Sequence, residues 1–290
     1  PGSAAMTGPV IVGVPGDGAL VLGRWAAEAL DARLIVAVVH PASSAIGSGR
    51  VDAEWVADRH RAAQRVLDEA RPALADATCT AEFRTVASAS AAHGLHDLAE
   101  QTGASAIVVG SEKDAPKSRL LAGSTAQRLL HGSPCPVAVA PAELPDQPGT
   151  IGRLGVAYVD TPDGRAALAE AGEFARRTGS SLRIYTVVAE ADGTLPFLLG
   201  EDAERAFLDT ARESYEEALS RAAATVPDVE TDWRIATGDV VTTLADLDEV
   251  DVLFCGSRGY GPARRVLLGG VSAKLVRRAR RPVVVVPRSG

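Results

Sequence analysis

Glycine and basic residues crowd one short stretch of the chain, GSRGYGPARRVLLGGVSAKL at 256–275. Its glycines Gly256, Gly259 and Gly269 are spaced as G-x2-G-x9-G, directly after an apolar run. Residues 257–290 hold nine Lys or Arg and no Asp or Glu. A phosphate chain needs backbone N–H groups with no Cβ in the way, and it gains from nearby positive charge. The stretch therefore predicts an anion site; the alternative is a surface turn whose arginines are solvated.

This glycine stretch is distinct from the common nucleotide motifs. It lacks the GK[ST] ending of a Walker A loop and the GxGxxG of a dinucleotide fingerprint. All five histidines, at 40, 60, 93, 96 and 131, precede it in the first half of the chain. A general base of the usual kind is therefore missing beside the glycines, which argues against rapid turnover.

The same glycine frame occurs a second time. Residues 110–129 read GSEKDAPKSRLLAGSTAQRL, and Gly110 precedes Gly123 by the interval that separates Gly256 from Gly269. Gly110 and Gly256 lie 146 residues apart, as do Pro136 and Pro282. The chain is therefore predicted to contain two related domains, at 6–145 and 150–290, joined near the Pro- and Gly-rich segment ELPDQPGT.

Short apolar runs alternate with helical patterns in both halves. In the second half the strands are predicted at 156–159, 182–188, 233–235, 253–255 and 282–286, and the helices at 164–179, 201–226, 239–250 and 271–278. Alternating β and α elements with β-branched strands predict an α/β fold whose parallel sheet is covered by helices on both faces. Ligands of such sheets bind beyond the carboxyl ends of the strands.

Composition sets further limits. The chain has 290 residues, 46% of them hydrophobic and 4% aromatic, and a net charge of −7. An acidic chain is no general nucleic-acid binder, and the sequence lacks the run of about eighteen apolar residues that spans a membrane. The three cysteines form no CxxC pair, which favours a cytoplasmic location.

The repeated glycine frame, the strand order and the tandem layout together resemble the universal stress protein family. The resemblance implies two tandem, open, five-stranded parallel sheets of Rossmann-like type. It implies a site for ATP or another adenine nucleotide, with Mg²⁺ as a candidate companion. It also implies an intramolecular pseudo-dimer through the last strand of each half, with a homodimer as a further candidate assembly.

The resemblance assigns a nucleotide site to the second half. Its residues are Asp160 at the end of the first strand, Val187 near the adenine, Gly256, Gly259 and Gly269 around the phosphates, Arg258 for charge, and Gly270, Val271 and Ser272 at the start of the following helix. Gly270 departs from the family pattern, which has Ser or Thr there. The first half keeps Gly110, Gly123 and Ser124, but Lys113 replaces the second glycine and Pro15 stands in the place of Asp160. The first-half site is therefore expected to be degenerate.

Two smaller features stay open. His93 and His96, with Asp97 beside them, are either a metal pair or a solvated helix face, and the second reading is favoured. Cys255 is either a redox-sensitive thiol or a small packed side chain. The function expected from the sequence is that of a nucleotide-binding stress-response regulator. The alternatives are a slow ATPase or adenylyl-transferring enzyme that uses the same pocket, and a nucleotide-free protein-interaction module.

Overall fold

Strands alternate with helices in the first half, as the sequence predicts. The computed structural model describes residues 8–42, 50–112, 114–116, 119–144, 151–188, 201–257 and 270–287, with the backbone alone described at 50–52 and 201–211. The first-half strands are β1 Val10–Gly13, β2 Leu34–Pro41, β3 Ala81–Ser88, β4 Ala106–Gly110 and β5 Val137–Ala140. The helices are α1 Asp17–Ala29, α2 Arg50–Ala70, α3 Ala91–Thr102 and α4 Ser124–Leu130, and a 3-10 turn at Arg71–Leu74 follows α2.

The second half repeats this order. Its strands are β6 Arg153–Ala157, β7 Ser181–Val188, β8 Thr231–Thr237, β9 Val252–Gly256 and β10 Val283–Val286. Its helices are α5 Pro162–Thr178, α6 Glu201–Ala224, α7 Val240–Ala245 and α8 Gly270–Leu275. The predicted strands are all present, but α7 and α8 end earlier than the helices expected at 239–250 and 271–278.

The strands of both halves form one continuous sheet. Its order is β3-β2-β1-β4-β5-β10-β9-β6-β7-β8, and every pair within a half is parallel. The two last strands, β5 and β10, pair antiparallel with Val139 opposite Val283 and Val137 opposite Val285. The expected pairing of the last strands is therefore present, but it joins the two predicted sheets into a single ten-stranded one.

The hydrophobic core is continuous on one face of this sheet and divided on the other. One cluster runs across the junction from Ile11 and Leu95 to Cys255 and Leu275, beneath α3, α4, α7 and α8. On the opposite face, α1 and α2 cover one cluster and α5 and α6 cover another. Both faces of the sheet are thus buried, which is why the strands read as near-continuous apolar runs.

A backbone contact beside the sheet also joins the halves. The Leu120 N–H donates to the Ala279 carbonyl at 2.7 Å, and the Ala122 N–H donates to the Val276 carbonyl at 2.9 Å. The two acceptor carbonyls lie just beyond the end of α8 at Leu275. They therefore bind N–H groups of the first half instead of N–H groups of a longer α8. Among the described residues, no helix combines the length and the apolar character needed to cross a bilayer.

Candidate functional site

The carboxyl end of β9 carries the first predicted phosphate residue. Gly256 is the last residue of β9, and the Ser272 hydroxyl of α8 donates to its carbonyl at 2.7 Å. Ser272 is 3% exposed. The structure therefore brings these two predicted residues together, but the Ser272 proton is used to hold α8 against the strand end. Arg258, Gly259 and Gly269 lie outside the described residues.

Packing against α5 requires a glycine at position 256. A Cβ built on Gly256 would lie 2.8 Å from the Asp163 carbonyl oxygen and 2.9 Å from the Asp163 Cβ. Asp163, in the first turn of α5, is buried and accepts a hydrogen bond from the Ser257 hydroxyl at 3.4 Å. Sequence reasoning missed Asp163; the PDG run that opens α5 was its only local signal.

Asp160 takes part in a different set of contacts. Its carboxylate accepts hydrogen bonds from the Arg165 guanidinium and, at 3.3 Å, from the Tyr158 hydroxyl. Together with Arg176 and Arg221 it lines a cleft of about 330 Å³ between α5 and α6. Burial, followed by the charge of Asp160, raises the pKa of Tyr158. A nucleotide group that binds Asp160 would therefore compete with Arg165.

The remaining predicted residues of the second half differ in their surroundings. Val187 is half-buried near the end of β7 and packs against the larger core cluster, as does Val271 in α8. Gly270 is exposed, and a Cβ built on it would meet no atom of the described residues within 4 Å. The described residues therefore leave the backbone at Gly270 uncovered, whereas the side chains of Val187 and Val271 pack against the core.

Cys255 behaves as a packed side chain. It is 3% exposed in β9, and burial raises the pKa of its thiol to about 12. The thiolate is the reactive form of cysteine, so a thiol with this pKa is inert near neutral pH. The redox reading of Cys255 is therefore disfavoured by its burial.

The first half forms a cleft at the matching edge of the sheet. Its volume is about 360 Å³, and its lining includes Pro15, Val39 and the predicted residues Gly110, Gly123 and Ser124. The structure thus brings together the described part of the first-half frame at the strand ends, in one cleft. Lys113 lies outside the described residues.

Glu112 distinguishes the first-half cleft from the second-half site. It lines the cleft, and its Cγ would lie 2.9 Å from a Cβ built on Gly123. The same interval of 146 residues that relates the two glycine frames places Arg258 opposite Glu112, so the charge at this one position is reversed between the halves. Sequence reasoning missed this reversal, although the letters GSEK and GSRG display it.

The helix starts relate Pro15 to Asp160. Gly16 immediately precedes α1 and Thr161 immediately precedes α5. Pro15 and Asp160 each come one residue earlier, and Pro15 supplies no carboxylate. The equivalence of Pro15 with Asp160 stays a prediction.

Comparison with known proteins gives a consistent result. The sequence model of the universal stress protein family matches residues 6–141 and 150–287. A universal stress protein of Mycobacterium tuberculosis is 29% identical over 287 residues, covering 91% of this chain and 97% of that protein.

Two solved structures extend the comparison. A universal stress protein structure from Archaeoglobus fulgidus shares the fold, with a TM-score of 0.65, 19% identity and coverage of 97% of both chains. A second one from that organism, in complex with dAMP, covers 47% of this chain and 98% of its own, with 20% identity and a TM-score of 0.36. With its family pattern matched in both halves, this chain belongs to the universal stress protein family.

Proposed function

We propose that this chain is a stress-response regulator that binds one adenine nucleotide, ATP or ADP, at the strand ends of its second half. The proposal rests on the G-x2-G-x9-G frame that begins at Gly256 and on the nine cationic residues, without any acid, from 257 to 290. Mg²⁺ would accompany the phosphates, with no protein ligand assigned to it. The proposed location is the cytoplasm, because its reducing conditions keep cysteines free, as the three cysteines are here.

The surroundings of Gly270 and Ser272 bear on how the phosphates would be recognised. No described residue fills the space beside Gly270, which leaves room there for a phosphate group. The Ser272 hydroxyl already donates to the Gly256 carbonyl. Backbone N–H groups and basic side chains, rather than a hydroxyl donor, would therefore hold the phosphates. A site of this kind is expected to discriminate weakly between ATP and ADP, and Gly270→Ser is expected to favour ATP.

The two halves are expected to differ in affinity because their charges differ. Glu112 lines the first-half cleft, and a carboxylate there repels a phosphate chain. The second half has Arg258 at the matching position and Gly259 where the first half has Lys113. These differences favour one site per chain. Binding without rapid turnover is proposed because the second half contains no histidine that could act as a general base.

Calorimetric titration of the full chain with ATP and with ADP, at fixed salt and Mg²⁺, tests this function. We expect about one site per chain. Gly259→Lys should abolish binding because a side chain would enter the phosphate position. The reciprocal change Lys113→Gly is the matched control and should leave the second-half site intact. Two equal sites, or full binding by Gly259→Lys, would refute the proposal.

Mass spectrometry of nucleotide released from freshly purified, denatured protein supplies an independent measurement. Release of an adenine nucleotide from the wild type, but not from Gly259→Lys, would support the site. If the wild type neither releases nor binds ATP or ADP, the chain is a nucleotide-free interaction module instead.

A further inference from the structure

The outer face of α3 gathers four side chains that can bind a metal. Positions 93, 96, 97 and 100 follow the three- and four-residue spacing that places side chains on one face of a helix. His93, His96, Asp97 and Glu100 occupy them. The opposite face of α3 is buried through Ala92, Gly94, Leu95, Leu98 and Ala99. The four side chains are therefore carried by a helix that is fixed against the core.

The distances from His96 to the two carboxylates exceed those of hydrogen bonds but suit a shared ion. His96 Nδ1 lies 3.6 Å from Asp97 Oδ1 and 4.0 Å from Glu100 Oε2. One candidate ligand atom from each of these residues can be chosen so that all three lie within 4.8 Å of one another. Ligand bonds of about 2.0–2.2 Å to zinc hold neighbouring ligand atoms roughly 3.3–3.6 Å apart in a tetrahedral site. The three ligand atoms would thus have to approach one another by at most about 1.5 Å to close the site.

The fourth side chain is placed to hold one of the ligands. His93 Nε2 lies 3.3 Å from Asp97 Oδ2, whereas His96 faces the other oxygen, Oδ1. A carboxylate that binds a metal is commonly oriented by a further polar partner of this kind. Glu100 lies in the last turns of α3, where the partial negative charge of the helix end favours a cation.

The structure assigns to α3 a site for one divalent transition-metal ion, with His96, Asp97 and Glu100 as ligands and His93 as a positioning residue. One imidazole and two carboxylates suit Zn²⁺, whereas Mg²⁺ and Ca²⁺ prefer oxygen ligands alone. The fourth position is left to water. The sequence alone indicated the pair His93 and His96 with Asp97 beside them, and a solvated helix face was favoured because no further ligand was recognised.

Titration of tag-free, chelator-treated full chain with ZnCl₂ at fixed pH, followed by calorimetry, tests the site. We expect about one Zn²⁺ per chain. His96→Ala and Glu100→Gln should each weaken Zn²⁺ binding by more than tenfold, and His93→Ala by roughly tenfold through loss of orientation. These side chains lie on the outer face of α3, and circular dichroism would check that each variant is folded.

His60→Ala is the matched control. His60 Nδ1 lies 3.3 Å from His40 Nε2, so this pair is the competing imidazole cluster among the described residues. Zinc binding should survive His60→Ala, and it should survive Gly259→Lys, which targets the proposed nucleotide site.

Co²⁺ as a spectroscopic probe should give d–d absorption without thiolate charge transfer, because no cysteine belongs to the site. Loss of Zn²⁺ binding in His60→Ala but not in His96→Ala, a thiolate signal, or no Zn²⁺ binding by the wild type would each overturn the assignment.

Discussion

Two glycines at matching positions, Gly110 in the first half and Gly256 in the second, differ in how closely their surroundings pack. A Cβ on Gly256 would come within 2.8 Å of the backbone of α5, whereas a Cβ on Gly110 would find its nearest neighbour at 3.6 Å. The second glycine is thus fixed by packing, and the first is free of that constraint. A shared motif does not by itself show that each glycine serves a ligand.

The charges beside these glycines differ as well. Glu112 follows the first strand end, and Arg258 occupies the matching position in the second half. The first half nevertheless forms a cleft of about 360 Å³ at the ends of its strands. A cleft at the strand ends and a positive charge beside it can therefore belong to different copies of one fold. The two halves should also differ in how substitutions change the free energy of unfolding.

The largest expected effect is that of Gly256→Ala. The added methyl group would force α5 away from β9, and overpacking of this kind costs about 1–3 kcal/mol in the free energy of unfolding. Gly110→Ala is the matched variant, and its change should stay within about 0.5 kcal/mol because its nearest contacts are ordinary. Urea unfolding of both variants checks this. Equal losses would mean that the two strand ends are packed alike.

Sequence reasoning predicted the strands well because their signal is local. The run expected at 182–188 is β7 Ser181–Val188, and the helix expected at 164–179 ends at Thr178, followed by Gly179 with φ 68°. Helix ends were less accessible, as α7 shows: it ends at Ala245, and the following Asp246 binds Arg119 from the other half. No local pattern reports a partner more than a hundred residues away.

The same limit applies to the site. The glycine frame can be read from the sequence because its spacing is short and repeated. The contact of Gly256 with Asp163 depends instead on how the end of β9 packs against the start of α5. These elements are distant in sequence: the hydrogen-bonded residues Ser257 and Asp163 are 94 positions apart. Arg165 and Asp160 are only five residues apart, but Asp160 precedes α5 and Arg165 lies within it. Their contact therefore depends on the turn that leads into α5.

A second contrast lies at the helices that follow the first strand of each half. Thr161 caps α5 by accepting a hydrogen bond from the Gly164 N–H at 3.1 Å, whereas Gly16 precedes α1 without a side-chain cap. Thr161→Ala should lower the free energy of unfolding by about 1 kcal/mol. Gly16→Ser should fail to stabilise α1, because Gly16 has φ 150° and L residues are strained there. Thermal and urea unfolding measure both, and a stabilising Gly16→Ser would contradict the contrast.

The contact between the halves supports a smaller prediction. Arg119 donates to the Arg278 carbonyl at 2.9 Å and to Asp246 Oδ1 at 2.8 Å, and its guanidinium lowers the pKa of Asp246. Arg119→Ala should cost about 0.5–1 kcal/mol, since both partners are partly exposed. The control is Arg128→Ala, because the Arg128 guanidinium has no hydrogen-bond or ion-pair partner among the described residues. Unfolding curves that are identical for the two variants would show that this contact adds nothing.

The smallest expected effect concerns two carboxylates, each placed between arginines. Glu249 in the second half accepts hydrogen bonds from the Tyr185 hydroxyl at 2.8 Å and from Arg183 at 2.6 Å. Tyr185 first, and then the charge of Arg183, hold the pKa of Glu249 below its usual value of 4.5. In the first half, Glu82 contacts Arg84 and Arg33, and Arg84 lowers its pKa, but these side chains are more exposed.

The direction of the pH effect follows from these lowered pKa values. A carboxylate with a lowered pKa in the folded state stabilises the fold above its unfolded pKa, and that stabilisation is lost as the pH falls through the folded pKa. We therefore expect the free energy of unfolding to fall on acidification below about pH 4.5. Glu249→Gln should flatten this fall by about 0.5 kcal/mol, and Glu82→Gln by less, because solvent screens its partners. Urea unfolding at a series of pH values measures both slopes. A larger flattening by Glu82→Gln would show that exposure does not set the difference between these two clusters.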